Sequence, residues 1–357
     1  MKEITDLIIE IDYEQIATYN FPKNKKFGLI TIINNVKYEF LITLKDNSEK
    51  LLIIGSGALS PTSKHDRSRP YFNRHSWKFN ESTICYNDPT LYIDDDLLGP
   101  WGVGTIDDWY LEKIAMIIKE IAKNIHIKNE NLLFYGSSSG GFCSLLLSTL
   151  IKDSYSLAEI PQFNLKTNWR KHYLLLIKHC FNGLPEKEIL ERWSYRLKVI
   201  DLIKKEKYIP NAFLLLDYSY EADVEMQYAP FFQDLKEING DITDKIHIII
   251  QWKNKGHKAQ SYKQTVKALD RVMEHMDSDN EKTIQKIRNL VSLVNLKIFL
   301  NKTLLLDILF NFLILWILLI AIIINSFKFN YFHKITVIMK YNNLIIKSIK
   351  NEKQINR

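Results

Sequence analysis

The segment Leu132-Leu133-Phe134-Tyr135-Gly136-Ser137-Ser138-Ser139-Gly140-Gly141-Phe142 restricts this chain more than any other stretch. Residues 132–135 have the composition of a buried strand and run without a spacer into Gly136-x-Ser138-x-Gly140. Beyond the glycines, residues 142–150 continue as an apolar run of helical length. A strand that passes into a helix through one sharp turn leaves no room for side chains beside the apex, which accounts for the glycines. The apex residue is lifted clear of the sheet at the head of the helix, where a backbone N–H can face a developing negative charge. Ser138 is thereby offered as a nucleophile, with the Ser139 N–H as an oxyanion donor. An ordinary Gly/Ser-rich loop would explain the composition but not the flanking strand and helix. Ser137 and Ser139 read as spacing residues.

A serine hydroxyl is too weakly acidic to attack unaided, so a base must be found. Of the nine histidines, His257 is placed best. It follows the apolar run 246–251 in the loop Trp252-Lys253-Asn254-Lys255-Gly256-His257, just before a helical pattern. His247 falls inside the strand and reads as a packed residue, whereas His65 and His75 lie in the loop after residues 51–54. A carboxylate is expected after the preceding strand, to orient the imidazole and stabilise its charged form. The stretch Asp217-Tyr218-Ser219-Tyr220-Glu221-Ala222-Asp223-Val224-Glu225 offers four. Asp217 comes immediately at the strand end, too early to turn toward His257. Asp223 is the first choice and Glu221 the alternative. The second oxyanion donor is expected from Gly55-Ser56-Gly57-Ala58, through a backbone N–H near Ser56 or Gly57.

Around these residues the patterns alternate. Apolar β-rich runs at 28–33 and 36–44 flank Asn34-Asn35, a hairpin signal, and short strands are expected at 51–54, 82–86, 132–135, 156–160, 212–216 and 246–251. Helical periodicity follows Thr105, a candidate cap, and recurs at 231–238 and 261–276. Residues 166–207 read as helical and aromatic without a strand, an insertion over one end of the sheet. This order predicts an α/β fold with a mostly parallel sheet and an antiparallel N-terminal edge, over residues 1–277.

The charge balance excludes one function class. The net charge of +7 suggests nucleic acid, yet residues 328–357 carry seven of the basic residues against one acidic, which leaves the other 327 near neutral. The basic tail follows an apolar run, Ile308 to Ile324, broken only by Asn311; residues 304–327 are therefore a candidate membrane helix, preceded by a basic linker at 278–303. A buried hydrophobic helix is the alternative. No secretory signal pattern opens the chain, and three scattered cysteines (Cys85, Cys143, Cys180) fit reduced thiols better than a disulfide framework or a zinc site. From these features the main body is expected in the cytoplasm, with residues 304–327 as the candidate membrane association, and no cofactor or metal is called for.

Trp77, Trp101 and Trp109, mixed with Arg, Asn and Asp, have the composition of a sugar-binding cleft, although packing in the core is the favoured reading. Asp88-Pro89 reads as a strand end rather than a catalytic acid. Taken together, the Gly136–Gly140 turn and the order Ser138, Asp223 or Glu221, His257 resemble the α/β-hydrolase superfamily. More narrowly, Tyr71-Phe72-Asn73-Arg74-His75-Ser76-Trp77, Asp88-Pro89-Thr90-Leu91 and Tyr135-Gly136-Ser137-Ser138-Ser139-Gly140-Gly141-Phe142 resemble a bacterial surface-glycan group. That group includes accessory secretion-system proteins that acetylate sugars, and capsule biosynthesis proteins. The resemblance implies a serine-dependent acyl ester hydrolase or O-acyltransferase acting on a glycan or small acyl ester through acyl-Ser138. The competing expectation is a non-catalytic scaffold of the same fold that binds partners in glycan synthesis or secretion. The apolar and basic C-terminus departs from the group.

Overall fold

In a computed structural model, residues 1–167, 170–238 and 244–277 are described. They belong to the first of two compact units, Met1–Ser278. The basic linker, candidate membrane helix and basic tail expected at 278–357 lie outside the described residues, as does Trp169 of the insertion. Among the described residues, no helix is long and apolar enough to cross a membrane.

Among the described residues, nine strands form one sheet: β1 (Ile8–Glu10), β2 (Lys26–Ile33), β3 (Val36–Thr43), β4 (Leu51–Ile54), β5 (Ser82–Tyr86), β6 (Leu132–Ser137), β7 (Tyr155–Glu159), β8 (Asn211–Asp217) and β9 (Ile246–Gln251). Their spatial order is β1-β2-β3-β5-β4-β6-β7-β8-β9. From β5 to β9 all neighbours are parallel, while β3 pairs antiparallel with both β2 and β5. The antiparallel N-terminal edge is thus present, and β1 adds a short parallel strand outside it. The β2–β3 turn is Asn34-Asn35, with φ of 51° and 61°. Both residues are left-handed, as a two-residue hairpin matched to strand twist requires, and asparagine tolerates that region best after glycine.

The helices are α1 (Tyr110–Asn124), α2 (Ser139–Leu150), α3 (Arg170–Cys180), α4 (Glu186–Trp193), α5 (Val199–Glu206), α6 (Glu221–Asp223), α7 (Ala229–Lys236) and α8 (Tyr262–Asp277). The helical insertion is α3 to α5. Strand residues alternate between two cores, as their two-residue period dictates. Leu51, Ile53, Leu132, Phe134, Leu214 and Leu216 face the larger one, built with α1, α2 and α5. Leu52, Ile54, Leu133, Tyr135, Phe213 and Leu215 face the smaller one, closed by Leu269, Val272 and Met273 of α8.

Thr105 does not cap α1. The helix starts five residues later with Trp109 as its N-cap, and the Thr105 N–H is held by the Asp108 carbonyl. The glycines at 102 and 104 take φ of +67° and +73° and keep this approach in a loop. Trp101 and Trp109 are buried in the larger core, so for these two the packing reading holds. Asp88 caps a 3-10 turn through the Thr90 N–H and also accepts from the Gly102 N–H, consistent with a strand-end role.

Candidate active site

Sheet and helix meet at Ser138, between the last residue of β6 and the first of α2. Its backbone has φ 55° and ψ −116°, a region that a residue with a Cβ rarely occupies. The surroundings hold it there. The Ser138 N–H donates to the Glu159 carbonyl at the end of β7 (3.0 Å), and its own carbonyl accepts from the Phe142 N–H (3.0 Å). The glycines on either side are sterically required. A Cβ on Gly136 would lie 2.3 Å from the Gly140 backbone, and one on Gly140 would lie 2.8 Å from the Gly55 carbonyl.

The Ser138 Oγ is 2.8 Å from His257 Nε2, and His257 Nδ1 is 2.6 Å from Asp223 Oδ2. A carboxylate only accepts, so Nδ1 carries the hydrogen and Nε2 is left to accept the serine proton. Ser138 is half-buried, and the side chains of His257 and Asp223 are 16% and 8% exposed. Burial thus deepens from Ser138 towards the ion-pairing end at Asp223. Tyr228, whose own ionisation is suppressed chiefly by burial, donates a long second bond to Asp223 Oδ2 at 3.5 Å.

The structure therefore brings together Ser138, His257 and Asp223, which sequence separates by up to 119 residues. Glu221, the alternative acid, is exposed at the start of α6. Asp217 serves the site differently. Fully buried at the end of β8, it accepts from the Lys253 N–H (3.2 Å) and from the Ser219 hydroxyl (2.6 Å), whose oxygen accepts from the Asn254 N–H (2.8 Å). Glu159, also fully buried, accepts from the Gln260 N–H, and Lys253 Nζ lies 3.7 Å from Glu159 and 3.9 Å from Asp217. Two buried carboxylates and one lysine thus pin both shoulders of the His257 loop to the sheet. No sequence pattern pairs these residues, and only parallel β6–β9 register brings them side by side.

Opposite His257, the loop after β4 passes over the head of α2. Ser139 is the first helical residue, so its N–H has no acceptor within the helix. Gly57 lies beside Ser137, with the position of a Cβ 3.5 Å from the Ser137 carbonyl. Ser56 braces this loop, its hydroxyl donating to the Tyr71 carbonyl and accepting from the Asn73 N–H, both at 3.2 Å. The Gly57 loop is thus packed against Ser137, and Ser139 follows Ser138 directly at the head of α2. His65 and His75 are engaged by backbone carbonyls of their own loop, and His247 stacks on Phe213 at 4.4 Å, as a packed residue should. Arg74, buried next to Ser137, was singled out by no residue-level signal.

No protein-family model matches the chain, and no curated protein matches it in sequence. Solved structures do resemble it in fold. One is described as the Glycosylation Associate Protein (Gap123) complex from Streptococcus agalactiae, 17% identical, covering 71% of this chain and 47% of that one, with a TM-score of 0.50. The chain thus spans about half the length of that relative. Another is the capsule O-acetyltransferase of Neisseria meningitidis serogroup A, 15% identical, covering 68% of this chain and 96% of that one, also at 0.50. The described body has an α/β-hydrolase-like fold.

Proposed function

We propose that this chain is a serine-dependent acyl ester hydrolase or O-acyltransferase that works through an acyl-Ser138 intermediate. The observation that carries the reading is the unbroken hydrogen-bonded line Ser138–His257–Asp223, set on a backbone held at φ 55°. Ser138 Oγ attacks the acyl carbonyl as its proton passes to His257 Nε2. Asp223 stabilises the imidazolium, and the N–H groups of Ser139 and Gly57 receive the oxyanion. Collapse breaks the bond to the leaving group, which takes the proton from His257. In the second half, water or a sugar hydroxyl gives its proton to His257 and attacks acyl-Ser138, restoring the enzyme.

A glycan in bacterial surface polysaccharide or glycoprotein biosynthesis is the proposed acyl acceptor or ester substrate. The motifs at 71–77 and 88–91 support this, as do the names of the two structures that share the fold. Three buried, unbridged cysteines support a reducing compartment such as the cytoplasm. Residues 304–327 and the basic tail are proposed to associate with anionic membranes.

Hydrolysis of p-nitrophenyl acetate, followed with and without oligosaccharide acceptors, tests both halves of the cycle. Expected are turnover that Ser138→Ala abolishes, and faster p-nitrophenol release with an acylated sugar in the mass spectrum for a transferase. Equal turnover by Ser138→Ala would overturn the proposal, and a wholly inert wild type would favour the scaffold reading.

A further inference from the structure

Arg74 is 6% exposed, yet every hydrogen bond it makes is to a neutral group. Nη2 donates to the Ser137 hydroxyl at 2.6 Å, and Nη1 donates to the Gly55 carbonyl at 3.3 Å and the Asn73 side-chain oxygen at 3.1 Å. Its Nε is buried with no partner, and among the described residues it forms no ion pair. The guanidinium lies over the rings of Trp77 and Tyr135, each centroid 5.2 Å away. Glu159, at the hydroxyl end of Tyr135, already has its own cation in Lys253.

An uncompensated buried cation is costly, and ring faces and neutral oxygens offset only part of the cost. Its location gives it a use. Ser137 precedes the nucleophile directly, and Gly55 stands two residues before Gly57. A Cβ on Gly57 would lie 3.7 Å from the same Ser137 hydroxyl that Arg74 holds. We infer that Arg74 is an electrostatic positioning residue for the oxyanion: it fixes the Ser137–Gly55 junction and adds a fixed positive charge to the imidazolium that His257 becomes during the reaction. The inference rests on the reading of Ser138 as nucleophile. Because the negative charge exists only during reaction, the effect belongs in kcat rather than KM.

The test uses the full chain with R74K, R74Q and R74M, an ester substrate, a fluorophosphonate, and an arylboronic acid that becomes a tetrahedral anion on serine. A unit charge several ångströms away in a partly dry site gives an expected loss of about 10- to 100-fold in kcat for R74Q and R74M, with KM within about twofold. Boronate affinity should weaken by a similar factor, and R74K should stay within about tenfold of wild type. Equal losses in R74K and R74M, or a KM effect with kcat unchanged, would overturn the inference. Should the neutral variants not fold, N73D decides: from an exposed position it sets a carboxylate against Arg74 Nη1 and offsets its charge. A fall of about tenfold in kcat with KM within about twofold supports the role of charge, and a kcat within about twofold of wild type overturns it. A wild type that no fluorophosphonate labels would defeat the serine reading itself and this inference with it.

Discussion

Replacing Asp223 by asparagine removes the charge facing His257 while keeping size and shape. The carboxylate oxygen is 2.6 Å from Nδ1, and neither side chain exceeds 16% exposure. In such a partly dry site, unit charges about 4 Å apart interact by about 4 kcal/mol at an effective dielectric of about 20. That attraction is absent when the imidazole is neutral and present when it has taken the serine proton, so its loss falls on the barrier. About 4 kcal/mol corresponds to about a thousandfold in rate. An amide with its NH2 turned to the ring also favours the wrong tautomer, placing the hydrogen on Nε2 where Ser138 needs a base. Second-order inactivation by a fluorophosphonate at neutral pH measures the effect directly, with Glu221→Gln as the comparison. Asp223→Asn should slow inactivation by about a thousandfold, and Glu221→Gln, at an exposed position, should stay within about twofold. An Asp223→Asn rate above about a tenth of wild type, or an equal fall in Glu221→Gln, would refute the assignment.

Other consequences are open to measurement. Gly136→Ala forces a Cβ to 2.3 Å from backbone that cannot retreat without opening the turn, so a loss of at least about 3 kcal/mol is expected in urea unfolding, together with loss of labelling; wild-type behaviour would contradict the packing argument. Burial pushes the Asp88 carboxyl up to about 6, against the opposing pull of two backbone N–H donors. Between about pH 4 and about 6 the folded state therefore holds a proton that the unfolded chain has released, so this group lowers stability as pH rises through that window, by up to about 3 kcal/mol. Asp88→Asn should flatten that part of the stability profile, and parallel profiles for variant and wild type would count against it. Full-length protein should sediment with anionic vesicles and a chain ending at residue 277 should not; identical partitioning would remove the membrane proposal.

Much of the fold was legible because its signals are local. The apolar runs at 51–54, 82–86 and 246–251 are strands with those bounds, and Asn34-Asn35 turns the hairpin. Strand β1, three residues long, is too short for any periodicity to show. Thr105 misled because a capping side chain and a helical pattern nearby say nothing of two glycines that hold the intervening loop open. At the site, the Gly136–Gly140 turn could be read because sterics dictate residue types at fixed spacing. Arg74 and the Glu159–Lys253–Asp217 cluster could not, since their partners lie 63, 94 and 36 residues away and meet only through the parallel register. Choosing among carboxylates 217, 221 and 223 likewise depended on how one turn of helix aims a side chain.

The central claim is that Ser138 is a nucleophile activated by His257. Incubating the full chain with a fluorophosphonate and mapping the adduct by peptide mass spectrometry tests it most directly. The expected result is one phosphonylated residue, Ser138, with labelling abolished in Ser138→Ala and strongly slowed in His257→Ala. An unlabelled wild type, or an adduct that persists in Ser138→Ala, would contradict the account.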